Sequence, residues 1–227
     1  MDDYDVVVVG GSLAGCSTAR LLALRGAKVA LVEKRPALDA YKVTCTHYIQ
    51  AGASPAIERL GLTPLMEAAG ALPNKVDVWL RWGWIKAPDN GRHGWNLRRS
   101  VLDPMVRQLA SETPGVDYLP GQTAVGVVND GSTGAPGAQD GVSPGNSRVR
   151  GVRVRARDGG ERTLSARLVV AADGRESELG RLAGVPARIK PHGRFGYYAY
   201  FEDVPLRDPR RSLFWFCDPD IAYVFPN

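Results

Sequence analysis

The sequence predicts an α/β fold that opens with a βαβ unit, and three observations at the N-terminus predict it. Residues 5 to 9 end in an unbroken apolar run, the pattern of a strand buried on both faces. Residues 13 to 25 carry mostly small and apolar side chains up to Gly26, where a helix C-terminus favours glycine. KVALVE, residues 28 to 33, is a second short apolar run. Strand, helix and strand in that order imply parallel pairing with a right-handed crossover.

The elements that follow have weaker signals. Residues 54 to 69 read as helical, with a break at Gly61 and Pro64. Residues 74 to 97 alternate aromatic and polar side chains around an Asp-Asn-Gly turn and read as a hairpin. Ser100, with Asp103 three residues on, is placed to cap a helix that runs to about Ser111. A strand is expected near residues 122 to 128. Residues 129 to 147, rich in Gly, Ser and Pro, read as a mobile loop between two strands. RVRGVRVRAR, residues 148 to 157, alternates arginine with apolar residues around Gly151, a half-exposed strand with a bulge or turn at the glycine. With LSARLVVAADG, residues 164 to 174, it completes a small antiparallel meander. From residue 187 the chain turns aromatic again, and that segment is expected to share a sheet with residues 74 to 97. The predicted division is a discontinuous nucleotide-binding domain, 1–73 and 97–186, and a partial substrate-binding domain with a mixed sheet, 74–96 and 187–227.

Composition bounds the function. At 227 residues and 44% apolar content the chain can bury a real core. It has no apolar run near the roughly 18 residues of a membrane span, and the acidic start MDDYD lacks the features of a secretion signal. A cytoplasmic protein without a membrane partner is expected. Cys16, Cys45 and Cys217 are odd in number and widely spaced, which suggests neither disulfides nor a metal site. The net charge of +5 comes without stacking aromatics in a nucleic-acid module, so the basic strand reads as a solvated face and no nucleic-acid partner is expected.

VVVVGGSLAG, residues 6 to 15, places Ser12 where two chemistries compete. In a hydrolase elbow a serine would attack a carbonyl, but that needs an acid and a histidine brought to a sheet already built. Here the serine follows a single strand, and His47, His93 and His192 lie in no poised context. In a dinucleotide loop Gly10, position 12 and Gly15 are the three glycine positions, with Ser12 replacing the second. That loop requires a surrounding βαβ unit and an acidic residue ending the second strand, and Glu33 stands there. The N–H groups and positive end of the first helix turn suit a pyrophosphate, to which a serine hydroxyl can also donate. Gly10, Gly11, Ser12, Leu13, Ala14 and Gly15, with Glu33 and Lys34, are therefore the candidate cofactor-binding residues. A carboxylate at the ribose accepts NAD and FAD alike.

LVVAADGRESELGRLAG, residues 168 to 184, adds a second signal. With VVVVGGSLAG and VEKR it resembles the FAD-dependent oxidoreductases of the p-hydroxybenzoate hydroxylase type, which include aromatic monooxygenases, flavin halogenases and geranylgeranyl-reductase-like enzymes. The resemblance implies a Rossmann-like FAD-binding domain. It adds Arg99, in LRRSVLDPMV, beside the flavin, and Asp173 with Gly174 near the pyrophosphate and the path of NAD(P)H. Two departures stand out. Gly180 follows Ser177-Glu178-Leu179 where the family has arginine, and the family's Gly-Asp segment would fall beyond residue 227, which implies the front part of a longer enzyme.

The resemblance implies FAD as cofactor, NAD(P)H as reductant and a small aromatic or polycyclic substrate for a monooxygenase. Alternatives are a nucleotide-binding module without turnover, and a flavin-dependent alkene reductase or halogenase. Trp79, Trp82, Trp84, Tyr197, Tyr198, Tyr200 and Trp215 are candidates for an aromatic substrate pocket, against ordinary strand packing. Cys45-Thr46-His47-Tyr48 reads as a loop after the Glu33 strand. No catalytic acid or base is assigned.

Overall fold

The structure, a computed structural model, describes residues 2–88, 90–130 and 148–227. Most of the expected loop at 129–147, and Asp89 of the expected turn, lie outside the described residues. In chain order the first elements are β1 (Asp2–Val9), α1 (Leu13–Ala23), β2 (Val29–Glu33), β3 (Tyr48–Ile49), α2 (Ser54–Leu60) and α3 (Thr63–Ala68). Then come β4 (Leu72–Leu80), β5 (Gly83–Ile85), β6 (Gly94–Asn96), α4 (Arg99–Ser111), β7 (Val116–Pro120) and β8 (Thr123–Asn129). The last are β9 (Val149–Arg155), β10 (Glu161–Ala171), α5 (Glu178–Leu182), β11 (Arg211–Cys217) and β12 (Asp220–Val224).

Two compact units divide the chain, Met1–Lys42 with Leu102–Ala187 and Val43–Val101 with Arg188–Asn227. Residues 43–73, expected with the first domain, lie in the second unit. The reason is pairing, since β3 is antiparallel to β6 and β6 to β4, which ties that stretch to the second sheet.

In the first unit one six-stranded sheet runs β7-β2-β1-β10-β9-β8. The β1, β2, β7 and β10 strands are parallel to their neighbours in that set, as the βαβ unit predicts. The β8, β9 and β10 strands form the expected antiparallel meander, and β10 is shared between the two halves. Val7, Val8, Ala30, Leu31, Val152, Val154 and Leu164 are all fully buried, which makes this sheet the core. The α1 helix buries Gly15, Cys16, Ala19 and Ala23, small residues that let it approach the sheet.

In the second unit the sheet order is β12-β11-β4-β6-β3, with β5 paired to β4. The shared sheet expected of the two aromatic segments is present, as β11 runs parallel to β4. The tight hairpin turn is at Arg81 and Trp82, between the paired Leu80 and Gly83, rather than at the Asp-Asn-Gly turn, which lies in the connection to β6. Gly83, at φ +117, supplies the conformation there. The α4 helix starts at Arg99, so Ser100 lies inside it, and Asp103 accepts a bond from the Lys42 N–H instead of closing a capping box.

The Gly151 backbone presses on its neighbour strand, since a Cβ there would lie 2.5 Å from the Leu164 carbonyl oxygen. Gly151→Ala must push β9 from β10 and is expected to cost about 1–3 kcal/mol in urea unfolding. An unchanged midpoint would show that the strands separate without cost.

Candidate functional site

The turn after β1 is built so closely that its glycines admit no side chain. Gly10 takes φ +111, and a Cβ there would lie 2.3 Å from the Ala172 carbonyl oxygen. A Cβ on Gly11 would meet the Glu33 side chain at 2.8 Å, and one on Gly15 would lie 1.7 Å from the Gly10 carbonyl oxygen. The Gly10 N–H donates to Val32 O at 2.8 Å and the Ala172 N–H to Val9 O at 2.8 Å, so the ends of β1, β2 and β10 converge on this turn. Ser12 is the N-cap of α1 in an extended conformation, its carbonyl accepting the Cys16 N–H at 2.9 Å. Its side chain makes no cap bond to the helix. Ser12 and Leu13 are half-buried and Ala14 is exposed, at the end of the helix where N–H groups lack intrahelical acceptors.

Glu33 is buried at the end of β2, 8% exposed, and its carboxylate braces the glycine loop. Its Oε2 accepts the Gly11 N–H at 2.6 Å and its Oε1 the Arg35 N–H at 2.8 Å. Each oxygen retains a second lone pair for a ligand hydroxyl. On the other side of the same residue, Arg107 Nε donates to the Gly11 carbonyl oxygen at 3.0 Å, and its Nη1 donates to Leu38 O. Arg107 is 1% exposed, a buried cation beneath the loop that sequence reading missed. Its one available signal was placement: Leu102, Asp103, Val106, Arg107 and Ala110 form one buried helical stripe.

Asp173 organises the turn into α5. Its Oδ1 accepts the Ser177 hydroxyl at 2.6 Å and its Oδ2 the Leu179 N–H at 2.9 Å, while Ser177 Oγ accepts the Gly180 N–H at 3.0 Å. Gly174, at φ +103, supplies the left-handed residue of that turn. The peptide between Ala172 and Asp173 lies directly against Gly10. The first unit thus brings the glycine loop, Glu33 and the Asp173–Gly174 turn together, with Lys34 exposed just past β2. Arg99 belongs to the second unit, where it is 8% exposed and its Nη1 donates to Cys45 Sγ at 3.7 Å.

Burial pushes the Cys16 thiol up to about 12, against the lowering effect of Arg107. The Tyr118 phenol is likewise pushed up to about 12 by burial, with Arg107 opposing and Glu33 and Cys16 adding to it, and its buried hydroxyl has no hydrogen-bond partner. Among the described residues no group of three His, Cys, Asp or Glu side chains can hold a metal. The arrangement fits a dinucleotide: Cβ-free backbone around a helix N-terminus, a carboxylate with spare lone pairs, and an unpartnered hydroxyl in the field of the same two charges.

Two expected outcomes follow from this geometry. Arg107→Met leaves the Gly11 and Leu38 carbonyls without their donor in a buried site and should lower unfolding free energy by about 3 kcal/mol, read by urea denaturation. A thiol held protonated by burial should resist iodoacetamide at pH 8 while the exposed Cys217 reacts, as mass spectrometry of the folded and urea-unfolded chain would show.

Comparison with known proteins agrees with the geometry. The chain is 30% identical over 198 residues to digeranylgeranylglycerophospholipid reductase 1 of Methanothermobacter thermautotrophicus, an alignment covering 83% of this chain and 43% of that protein. A geranylgeranyl bacteriochlorophyll reductase-like protein from Thermoplasma acidophilum shares the fold at a TM-score of 0.69 and 24% identity, over 100% of this chain and 54% of that one. The probable FAD-dependent monooxygenase pqsL of Pseudomonas aeruginosa shares it at a TM-score of 0.64 and 20% identity, over 84% of this chain and 48% of that one. The chain spans about half the length of the curated relatives it matches. The FAD binding domain family matches residues 3–218, nearly the whole chain, and the protein belongs to that family of flavin-dependent oxidoreductases.

Proposed function

We propose that the whole protein is an NAD(P)H-dependent FAD monooxygenase acting on a small aromatic or polycyclic substrate. The observation that carries the substrate class is a row of tryptophans in the second sheet. Trp84 of β5 pairs with Trp79 of β4, and Trp79 pairs with Trp215 of β11, so the three share one face. Trp84 and Trp215 meet edge to face at 5.6 Å. Such a row offers a flat apolar surface to an aromatic ring. Trp82 stands apart in the hairpin turn, 78% exposed, with Arg81 over its ring.

Bound FAD would supply the redox chemistry, and this chain's own residues supply its place. Gly10, Gly11 and Gly15 let backbone approach the pyrophosphate, with Ser12, Leu13 and Ala14 at the helix terminus beside it. Glu33 holds the adenosine ribose, with Lys34 next to it. Asp173 and Gly174 shape the adjoining turn, and Arg99 completes the proposed cofactor set. A cytoplasmic site with reduced thiols and a small-molecule substrate belong to the same reading. Among the described residues no helix is long and apolar enough to cross a membrane.

A second reading, reduction of an alkene in a prenyl chain, is favoured by the curated relatives, named as digeranylgeranylglycerophospholipid reductases. Product mass separates the two, since one reading adds an oxygen atom to an aromatic probe and the other adds two hydrogens to digeranylgeranylglycerophospholipid.

For the cofactor site, Glu33→Ala should weaken FAD binding by about tenfold to a hundredfold, the worth of one or two hydrogen bonds to a carboxylate. Glu33→Gln retains an acceptor for the Gly11 N–H and should lose less. Ser12→Gly should bind FAD as well or better, because removing a Cβ opens the loop. Fluorescence titration reads all three, and FAD affinity unmoved by Glu33→Ala would overturn the assignment.

A further inference from the structure

The reversal between β4 and β5 takes no part in the cofactor site or the tryptophan row, yet it carries the composition of a contact surface. From Leu80 to Pro88 the chain reads LRWGWIKAP, which joins large apolar side chains to two cations and holds no acidic residue. Because Leu80 pairs with Gly83, Arg81 and Trp82 alone make the turn. Trp82 is 78% exposed, and the Arg81 guanidinium lies over its ring, 4.1 Å from the centroid. Ile85 is 58% exposed and pairs with Val78, on the face of the hairpin opposite to the Trp79 and Trp84 pair.

Neighbouring groups fix the connection that follows. The Asp77 carboxylate of β4 accepts the Ala87 N–H at 3.0 Å and pairs with Arg211 at 2.9 Å, and Lys75 Nζ donates to the Pro88 carbonyl at 3.3 Å. The β4 carboxylate is thus spent on the fold. Arg81 and Lys86 are exposed, and among the described residues neither pairs with a carboxylate. A tryptophan kept in water beside unneutralised cations contributes little to the core. It suits the boundary of a lipid bilayer, where an indole sits at headgroup level and Arg or Lys meets lipid phosphate. Size argues against a protein partner, since a stable interface takes roughly 20–30 residues a side and this turn offers only a handful.

We propose that the β4–β5 hairpin is a peripheral contact with an anionic lipid surface, in which Trp82 and Ile85 enter the headgroup boundary and Arg81 and Lys86 meet the phosphates. Such a contact needs no spanning segment, and among the described residues no helix is long and apolar enough to be one. It replaces the expectation of a chain without a membrane partner, which weighed spanning runs and secretion signals and not a two-residue turn. It is independent of the cofactor and tryptophan-row readings, because neither uses Arg81, Trp82 or Lys86.

Co-sedimentation of the chain with lipid vesicles tests it. Binding to equimolar phosphatidylcholine and phosphatidylglycerol should exceed binding to phosphatidylcholine alone by about tenfold or more and should fall as salt rises, since each cation near an anionic surface is worth roughly fivefold. Trp82→Ala should weaken binding to the mixed vesicles about tenfold, the transfer of one large apolar side chain. Arg81→Gln with Lys86→Gln should bring it down toward the phosphatidylcholine value. These side chains are exposed, so the thermal midpoint should hardly move and any loss is read on folded protein. No binding to the mixed vesicles, equal binding to the two kinds of vesicle, or binding unmoved by Trp82→Ala overturns the proposal. So does a chain that stays off vesicles and self-associates in sedimentation velocity until Trp82 is replaced, the behaviour of a protein contact. FAD titration and product mass report on the other readings whatever the vesicles show.

Discussion

Gly11 is gripped through both of its backbone polar groups, its N–H by the Glu33 carboxylate and its carbonyl by the Arg107 guanidinium. Both partners are buried, so an anion and a cation are held apart by one glycine residue inside the first unit. Either charge alone would carry a large desolvation cost, and each is met by the Gly11 backbone group that suits its sign. Around this point the structure has no slack. Gly10 lies against the Ala172 carbonyl and Gly15 against the Gly10 carbonyl, so a side chain at either place would have to displace backbone. The helix N-terminus keeps its position because three strand ends are fixed to the same turn.

This constraint also changes what Glu33 is. As a sequence feature it is an acidic residue at the end of a strand, read for its reach toward a ribose. In the fold it is first a latch on the glycine loop, and a ligand hydroxyl would share its oxygens with two backbone N–H groups. One carboxylate thereby ties the form of the glycine loop to the chain that follows β2. Asp173 behaves similarly, its two oxygens spent on Ser177 and Leu179 so that the turn beside Gly10 keeps its form.

What the sequence made legible was what depends on near neighbours. The apolar runs of β1 and β2, the small residues of α1 and the glycine spacing each state a local requirement, and the parallel sheet follows from them. Arg107 was hidden because its partners, the Gly11 and Leu38 carbonyls, are supplied by segments 96 and 69 residues away. A lone arginine among polar helix residues reads as solvated until those carbonyls arrive. The hairpin turn was missed for a related reason: Asp-Asn-Gly carries the strong local turn signal, yet register with β4 put the reversal at Arg81 and Trp82. Residues 43–73 went to the second sheet through pairings that no local pattern announces.

The two units differ in how their functional groups are made. In the first, the cofactor-binding surface is chiefly backbone, shaped by glycines and held by buried charges, and such a surface serves any reaction its cofactor can run. In the second, side chains carry the information: a tryptophan row in register across three strands, and a histidine whose ring is fixed by a peptide N–H. The left-handed backbone of His47 is held by bonds to Cys45, Leu97 and Arg99 that all converge on one residue.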